Sequence, residues 1–175
     1  YMFNEDLFPE LEYGEEFLYL DLDVLIHNSI NPLFKLNIDN PWIVRGWWND
    51  METCKRNYGK LISTPINSSI IRWNRGQLKP VYDHIENHTD YIFFTYPTID
   101  NYFNHFWYDM YNEENSEQLF KGLKKGITYS WFKGNIFPED MDLNKVRDDH
   151  MICLFNNCTD DDYQDMYEII KLWNT

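Results

Sequence analysis

The chain has 175 residues, a formal net charge of −14, 43% apolar and 18% aromatic residues, and no alanine. Its length is that of a single domain, and its apolar content suffices for a substantial core. The acidic balance excludes a free nucleic-acid binder, which needs a basic face, and disfavours an anionic membrane surface. The densest basic run, Lys121 to Lys125, holds three lysines.

No run approaches the ~20 apolar residues of a membrane span, and no signal peptide is visible. A cytoplasmic protein without a membrane span is therefore expected. Cys54, Cys153 and Cys158 make no even disulfide framework; Cys153 and Cys158 could join a metal site, but no second Cys or His pair has zinc spacing. Buried, reduced thiols are the expected state.

In chain order, residues 1–16 are acidic and aromatic and read as loop plus a short helix. Phe17 to Ile26 (FLYLDLDVLI) reads as one apolar strand. Pro32-Leu33-Phe34 starts a helical turn, and Trp42 to Arg45 is a second strand. Gly46 to Lys60 looks like a loop, Ile66 to Trp73 like a third strand, and Asn74-Arg75-Gly76 like a turn. Leu78, Val81, Tyr82 and Ile85 have the spacing of an amphipathic helix over Gln77 to Asn87. A second helix begins at Thr98-Ile99-Asp100, with Ile99, Tyr102, Phe103, Phe106 and Trp107 on one face. Gly126 to Phe132 and Met151 to Phe155 read as strands. Tyr163 to Trp173 reads as a C-terminal helix behind Asp160-Asp161-Asp162. Strands interleaved with helices, without repeats or linkers, predict one α/β domain over residues 1–175.

Asp21 and Asp23 are the most informative residues. Two apart on a strand, they point the same way. Flanked by Leu18-Tyr19-Leu20 and Val24-Leu25-Ile26, both carboxylates have a desolvation cost that a hard divalent cation would offset. The same spacing at Asp140/Asp142 and Asp160/Asp162 is explained by a solvated loop and a helix cap. An edge strand with both aspartates solvated is the plain alternative at Asp21/Asp23.

FLYLDLDVLI, the Asn31-Pro32-Leu33-Phe34 segment, and Ile66-Asn67-Ser68-Ser69-Ile70-Ile71-Arg72-Trp73 together resemble GT-A-type glycosyltransferases. The nearest likeness is to glycogenin-like and lipopolysaccharide-type sugar transferases, and it covers roughly residues 15 to 160. It implies a GT-A-like, Rossmann-like α/β fold, with a mixed sheet flanked by helices. It also implies transfer of a sugar from a nucleotide-diphosphate sugar to a glycan or other hydroxyl acceptor. Asp23 would be the main ligand of Mn²⁺ or Mg²⁺, and Asp21 would contact the metal or the ribose. Asn67 would hydrogen-bond a sugar hydroxyl. Asp100, where the family has an acidic Asp-Gln pair, would hold the transferred sugar; as a helix-start carboxylate it is equally explained as a cap. Asn156 stands where the family has a metal-binding His before Gly, and Lys133 substitutes for the lysine that meets the diphosphate. The family normally carries a longer stretch, including the base-binding strand and loop, before D-x-D; this chain has twenty residues there, which implies either a fold truncated at its N-terminus or a nucleotide site rebuilt from other segments.

Other readings remain open. A phosphatase resembling the haloacid dehalogenase group would use Asp21 as nucleophile and Asp23 as acid/base, with Asp160 to Asp162 as the late acidic pair. A non-catalytic nucleotide- or carbohydrate-binding remnant is the third. Trp47-Trp48 is the candidate platform for a sugar acceptor. His84 and His88 have the i, i+4 spacing of a metal pair, although a solvated helix face explains them equally, and Glu86 is not adjacent to the first His as zincins require. The sequence has no G-x-G-x-x-G, P-loop or G-x-S-x-G motif.

Overall fold

The computed structural model describes residues 3–37, 39–46, 64–109, 118–124, 126–132, 135–137 and 148–155. Among them the chain is α/β, with eight strands in two mixed sheets and two α-helices. The strands are β1 (Glu16–Leu20), β2 (Val24–Ile26), β3 (Trp42–Arg45), β4 (Ile66–Asn74), β5 (Lys121–Gly122), β6 (Thr128–Phe132), β7 (Asn135–Phe137) and β8 (Ile152–Phe155). The helices are α1 (Lys79–Thr95) and α2 (Ile99–Phe106). Short 3-10 turns at Glu5–Leu7 and Asn31–Lys35 match the helical turns expected there. No helix among the described residues is long and apolar enough to cross a membrane.

The chain divides into two compact units, Tyr1–Leu20 with Asn37–Leu123 and Asp21–Leu36 with Lys124–Thr175. The first holds a sheet in the order β1-β4-β3-β5, and the second a sheet in the order β2-β8-β6-β7. The run Phe17 to Ile26 is therefore not one strand. Its front half pairs with β4 (Leu20 opposite Ile70) and its back half with β8 (Val24 opposite Leu154). The break has a local cause. Asp21 Oδ1 accepts a hydrogen bond from Leu22 N at 2.9 Å, which offers that N–H an alternative to the ladder.

In the first unit, β4 is the centre, with antiparallel β1 on one side and antiparallel β3 on the other. Its isoleucines suit a strand buried on both faces. Ile71 and Trp73 lie in the core with Ile43, Val81, Tyr102 and Phe103. After β4 the chain turns at Gly76, whose φ of +97° is a backbone state that glycine adopts without strain. Helix α1 starts with Pro80 in its first turn and runs beyond Asn87, where the sequence pattern ends. It continues through a kink at His88 (φ −134°, ψ 25°). Thr89 Oγ1 donates back to Ile85 O at 2.7 Å, a bond that bends helices at just such a place.

Helix α2 is capped by Thr98, whose side chain accepts from Asn101 N at 3.3 Å. Its buried face is narrower than the sequence pattern implies. Tyr102 and Phe103 are fully buried, whereas Ile99 and Phe106 are 38% and 40% exposed, and Asn101 and Asn104 take buried places beside the aromatic pair.

In the second unit, β8 runs antiparallel to β2 and parallel to β6, and β7 forms a hairpin with β6. β8 is buried along its length. Cys153 is buried and outside any disulfide, in keeping with the expected reduced thiol. Burial pushes the Tyr129 phenol far above its ordinary pKa, and the adjacent Cys153 adds to the effect. The rings of His27 and His150 meet Tyr129 edge-on at 5.7 and 5.4 Å. The expected C-terminal helix, Cys54, Cys158 and Asp160 to Asp162 lie outside the described residues.

Arg72 of β4 is the largest fully buried side chain. Its Nη2 lies 2.7 Å from Glu16 Oε1 on β1, an off-axis ion pair, and its Nε and Nη1 have no hydrogen-bond partner among the described residues. A buried guanidinium with one counter-charge depends heavily on that charge. Glu16→Ala is expected to lower the unfolding free energy by about 3 kcal/mol, since it strands the cation. The double variant Glu16→Leu/Arg72→Met is expected to fall within about 1 kcal/mol of the parent. Urea denaturation of the four proteins in the cycle measures both.

Candidate metal and substrate site

The candidate residues form two groups, one in each unit. The first group lies on the connection from β1 to β2. Leu20 is held by its place opposite Ile70, and Asp23 O accepts from Phe155 N at 3.0 Å. Backbone pairing thus fixes both ends of the three-residue link Asp21-Leu22-Asp23. Asp21 and Asp23 are both half-buried, and Leu22 between them is fully exposed. The two aspartates sit in a turn between strands rather than on a strand, which corrects the sequence expectation about their setting.

Asp23 carries the decisive electrostatics. Its Oδ1 is buried and has no hydrogen-bond partner among the described residues. Burial raises its pKa above the ordinary carboxylate value, and the Asp21 charge raises it further, against a lowering by its own backbone N–H. A carboxylate that is desolvated, repelled by a neighbour and short of a donor is relieved by binding a proton or a cation. The donor set, two carboxylates, suits a hard ion such as Mg²⁺ or Mn²⁺. Among the described residues no group of three or more His, Cys, Asp and Glu converges on one point, so the acid pair supplies two ligands at most. Asn156, the third proposed ligand, lies outside the described residues, as does Lys133. Asn156 directly follows Phe155, the residue whose N–H meets Asp23 O.

The second group lies where α2 begins beside β4. Asp100 Oδ1 accepts from Ser68 N at 2.8 Å, so the carboxylate of one element ties down the backbone of the other. This bond brings Asp100 next to Asn67. Capping is assigned to Thr98, not Asp100. Asn67 Oδ1 accepts from Ser69 N at 2.9 Å, a local turn-like bond along its own strand. Sequence reasoning named both residues but missed the Ser68 N–H that joins them. No sequence signal marks a backbone donor at a strand's irregular edge; the register shift between Ile43 and Val44 opposite β4 is visible only in three dimensions. Trp47 and Trp48, the proposed acceptor platform, lie outside the described residues.

No family model, curated protein or solved structure matches this chain.

The raised pKa of Asp23 has a sign that stability measurements can read. A carboxyl that binds its proton more tightly when folded favours folding at low pH, and this contribution is lost as pH rises through its own elevated titration. Asp23→Asn removes the penalty. In the absence of divalent cation at neutral pH the variant is expected to be more stable than the parent, by at most about 1 kcal/mol because solvent screens a half-exposed group. This corresponds to a thermal midpoint higher by about 2–4 °C. The gain is expected to shrink as pH falls through the raised titration of the parent's Asp23.

The Asp100–Ser68 bond predicts a different outcome. Asp100→Ala is expected to cost about 1–3 kcal/mol by stranding a partly buried N–H. Asp100→Asn, which keeps an acceptor, is expected to recover most of it, as read by urea denaturation.

Proposed function

We propose that the chain is a metal-dependent glycosyltransferase that moves a sugar from a nucleotide-diphosphate sugar to a glycan or other hydroxyl acceptor, on a GT-A-like fold. The single observation that carries this reading is the partnerless, desolvated Asp23 Oδ1 with Asp21 beside it, on a link pinned at both ends. The bond from Ser68 to Asp100 supports it as well, since it joins the Asn-Ser strand to the residue carried over as the sugar holder.

Each residue has a chemical task in this reading. Asp23, with Asp21, would hold Mn²⁺ or Mg²⁺, which would supply positive charge against the charge developing on the departing diphosphate. Asp21 and Asp23 themselves supply the negative charge that lets an acidic chain accept an anionic donor through a cation. Asn67 and Asp100, fixed by the Ser68 bond, orient the hydroxyls of the transferred sugar, so that their rigidity becomes positioning. The resemblance carries the remaining ligand onto Asn156 and the diphosphate contact onto Lys133, both outside the described residues.

The test is a thermal-shift titration with Mn²⁺ plus UDP, GDP or dTDP, followed by mass spectrometry of acceptor glycans incubated with the matching sugar nucleotides. The parent is expected to gain stability only when cation and nucleotide are present together, by about 2.7 kcal/mol at a hundredfold excess over Kd. Asp23→Ala is expected to lose that gain while keeping its fold. An unchanged gain in Asp23→Ala removes the acid pair from the site. Hydrolysis of p-nitrophenyl phosphate that is lost in Asp21→Asn would instead select the phosphatase reading, and nucleotide binding without turnover the non-catalytic one.

A further inference from the structure

Outside the acid pair, the most ordered cluster of ligating side chains is on α1. His84 is half-buried and its ring is held on several sides. It stacks on Tyr102 at 5.8 Å and 12°, and touches Phe106 at 4.7 Å and Trp107 at 5.8 Å. Its Nδ1 lies 2.8 Å from Tyr102 Oη, the only hydrogen-bond partner of this ring among the described residues. In the tautomer whose Nδ1–H donates to the phenol oxygen, Nε2 carries the lone pair. A ring oriented by a hydrogen bond at one nitrogen is the arrangement found in metal-binding histidines.

The second ring is His88, exposed, with no hydrogen-bond partner among the described residues. The helix kinks at this residue, and the two rings come to 4.8 Å between centres, at an interplanar angle of 54°. That separation can be checked against metal geometry. A nitrogen–metal distance of about 2.0–2.1 Å, plus roughly 1.1 Å from nitrogen to ring centre, puts each centre about 3.2 Å from a shared ion. Rings 4.8 Å apart then subtend about 100° at the ion, between the right angle and the tetrahedral angle.

We propose that His84 and His88 form a two-imidazole clamp for a borderline divalent cation of the Zn²⁺ or Cu²⁺ class, separate from the hard-cation pair at Asp21 and Asp23. Imidazole prefers such ions, whereas carboxylates prefer Mg²⁺ and Mn²⁺, so the two sites select different metals. A bound ion ties the kinked residue back to the first half of α1, and through Tyr102 it reaches α2.

The experiment uses the tag-free chain carrying Asp23→Asn, so that the acid pair does not compete. Zn²⁺ binding is measured by calorimetry, and equimolar Cu²⁺ is examined by electron paramagnetic resonance, which counts coordinating imidazole nitrogens. Two nitrogens are expected, with one lost in His88→Ala and Zn²⁺ affinity at least tenfold weaker. His88 is exposed, so this variant keeps its fold; His84→Ala is expected to give the same loss. His105→Ala, on α2 with its ring against Tyr96 and Phe106, is expected to change nothing. Fewer than two imidazole nitrogens in the parent spectrum, or equal Zn²⁺ affinity in His88→Ala, overturns the clamp. Neither result bears on the transferase reading, which rests on Asp21 and Asp23.

Discussion

The structure turns on one short passage of chain, the three residues between Leu20 and Val24. There the backbone leaves one sheet and enters another, and the division between the two units falls within the same step. A carboxylate inside an apolar run costs desolvation energy, and a second one two residues away adds repulsion. Ordinarily a chain relieves such a conflict by letting the acids swing into water. Here the backbone is paired at Leu20 on one side and at Asp23 O on the other, so the relief available is limited to Leu22, which points outward. The unfavourable electrostatics of Asp23 are therefore a consequence of where the strands end.

The same logic runs through β4, which anchors the first unit. It carries a buried cation at Arg72, offset by Glu16 across the sheet, and at its other end it presents Ser68 N to Asp100. Both interactions are long-range in sequence and both join different elements. The first fixes how β1 lies on β4, and thus where Leu20 delivers the chain to Asp21. The second fixes the start of α2 against the strand that bears Asn67. Residues with proposed chemical roles are thus each one step away from an interaction that sets strand or helix placement.

Much of this was legible from local pattern. The strands at Trp42 to Arg45 and Ile66 to Trp73, and the Thr98 helix start, follow from periodicity and turn chemistry, because burial of one face dictates those patterns. Phe17 to Ile26 was misread for a physical reason: an apolar run has the same composition whether its two halves pair with one sheet or with two. The continuation of α1 past Asn87 was hidden because Asn87, His88 and Thr89 are poor helix formers that the rest of the helix overrides by bending. β5 and β7 are two and three residues long and leave no periodic signal. At the site, Asp21 and Asp23 were legible because buried charge is conspicuous in an apolar run. The bond from Ser68 to Asp100 and the contact of His84 with Tyr102 were not, since each joins residues that only the tertiary fold brings together.

The candidate carboxylates Asp100 and Asp23 show why composition alone is a poor guide in so acidic a chain. Asp100 has its negative charge met by a backbone N–H at 2.8 Å, and bonding of this kind stabilises the charged form in place. Asp23 Oδ1 is met by no donor among the described residues, and its neighbour Asp21 carries the same sign of charge. An already satisfied carboxylate gains little from a cation and is suited to holding a fixed orientation. An unsatisfied one gains the full difference between an uncompensated charge and a compensated one. Under the proposed function, this contrast favours positioning for Asp100 and cation capture for Asp23, from the hydrogen-bond environment of each group.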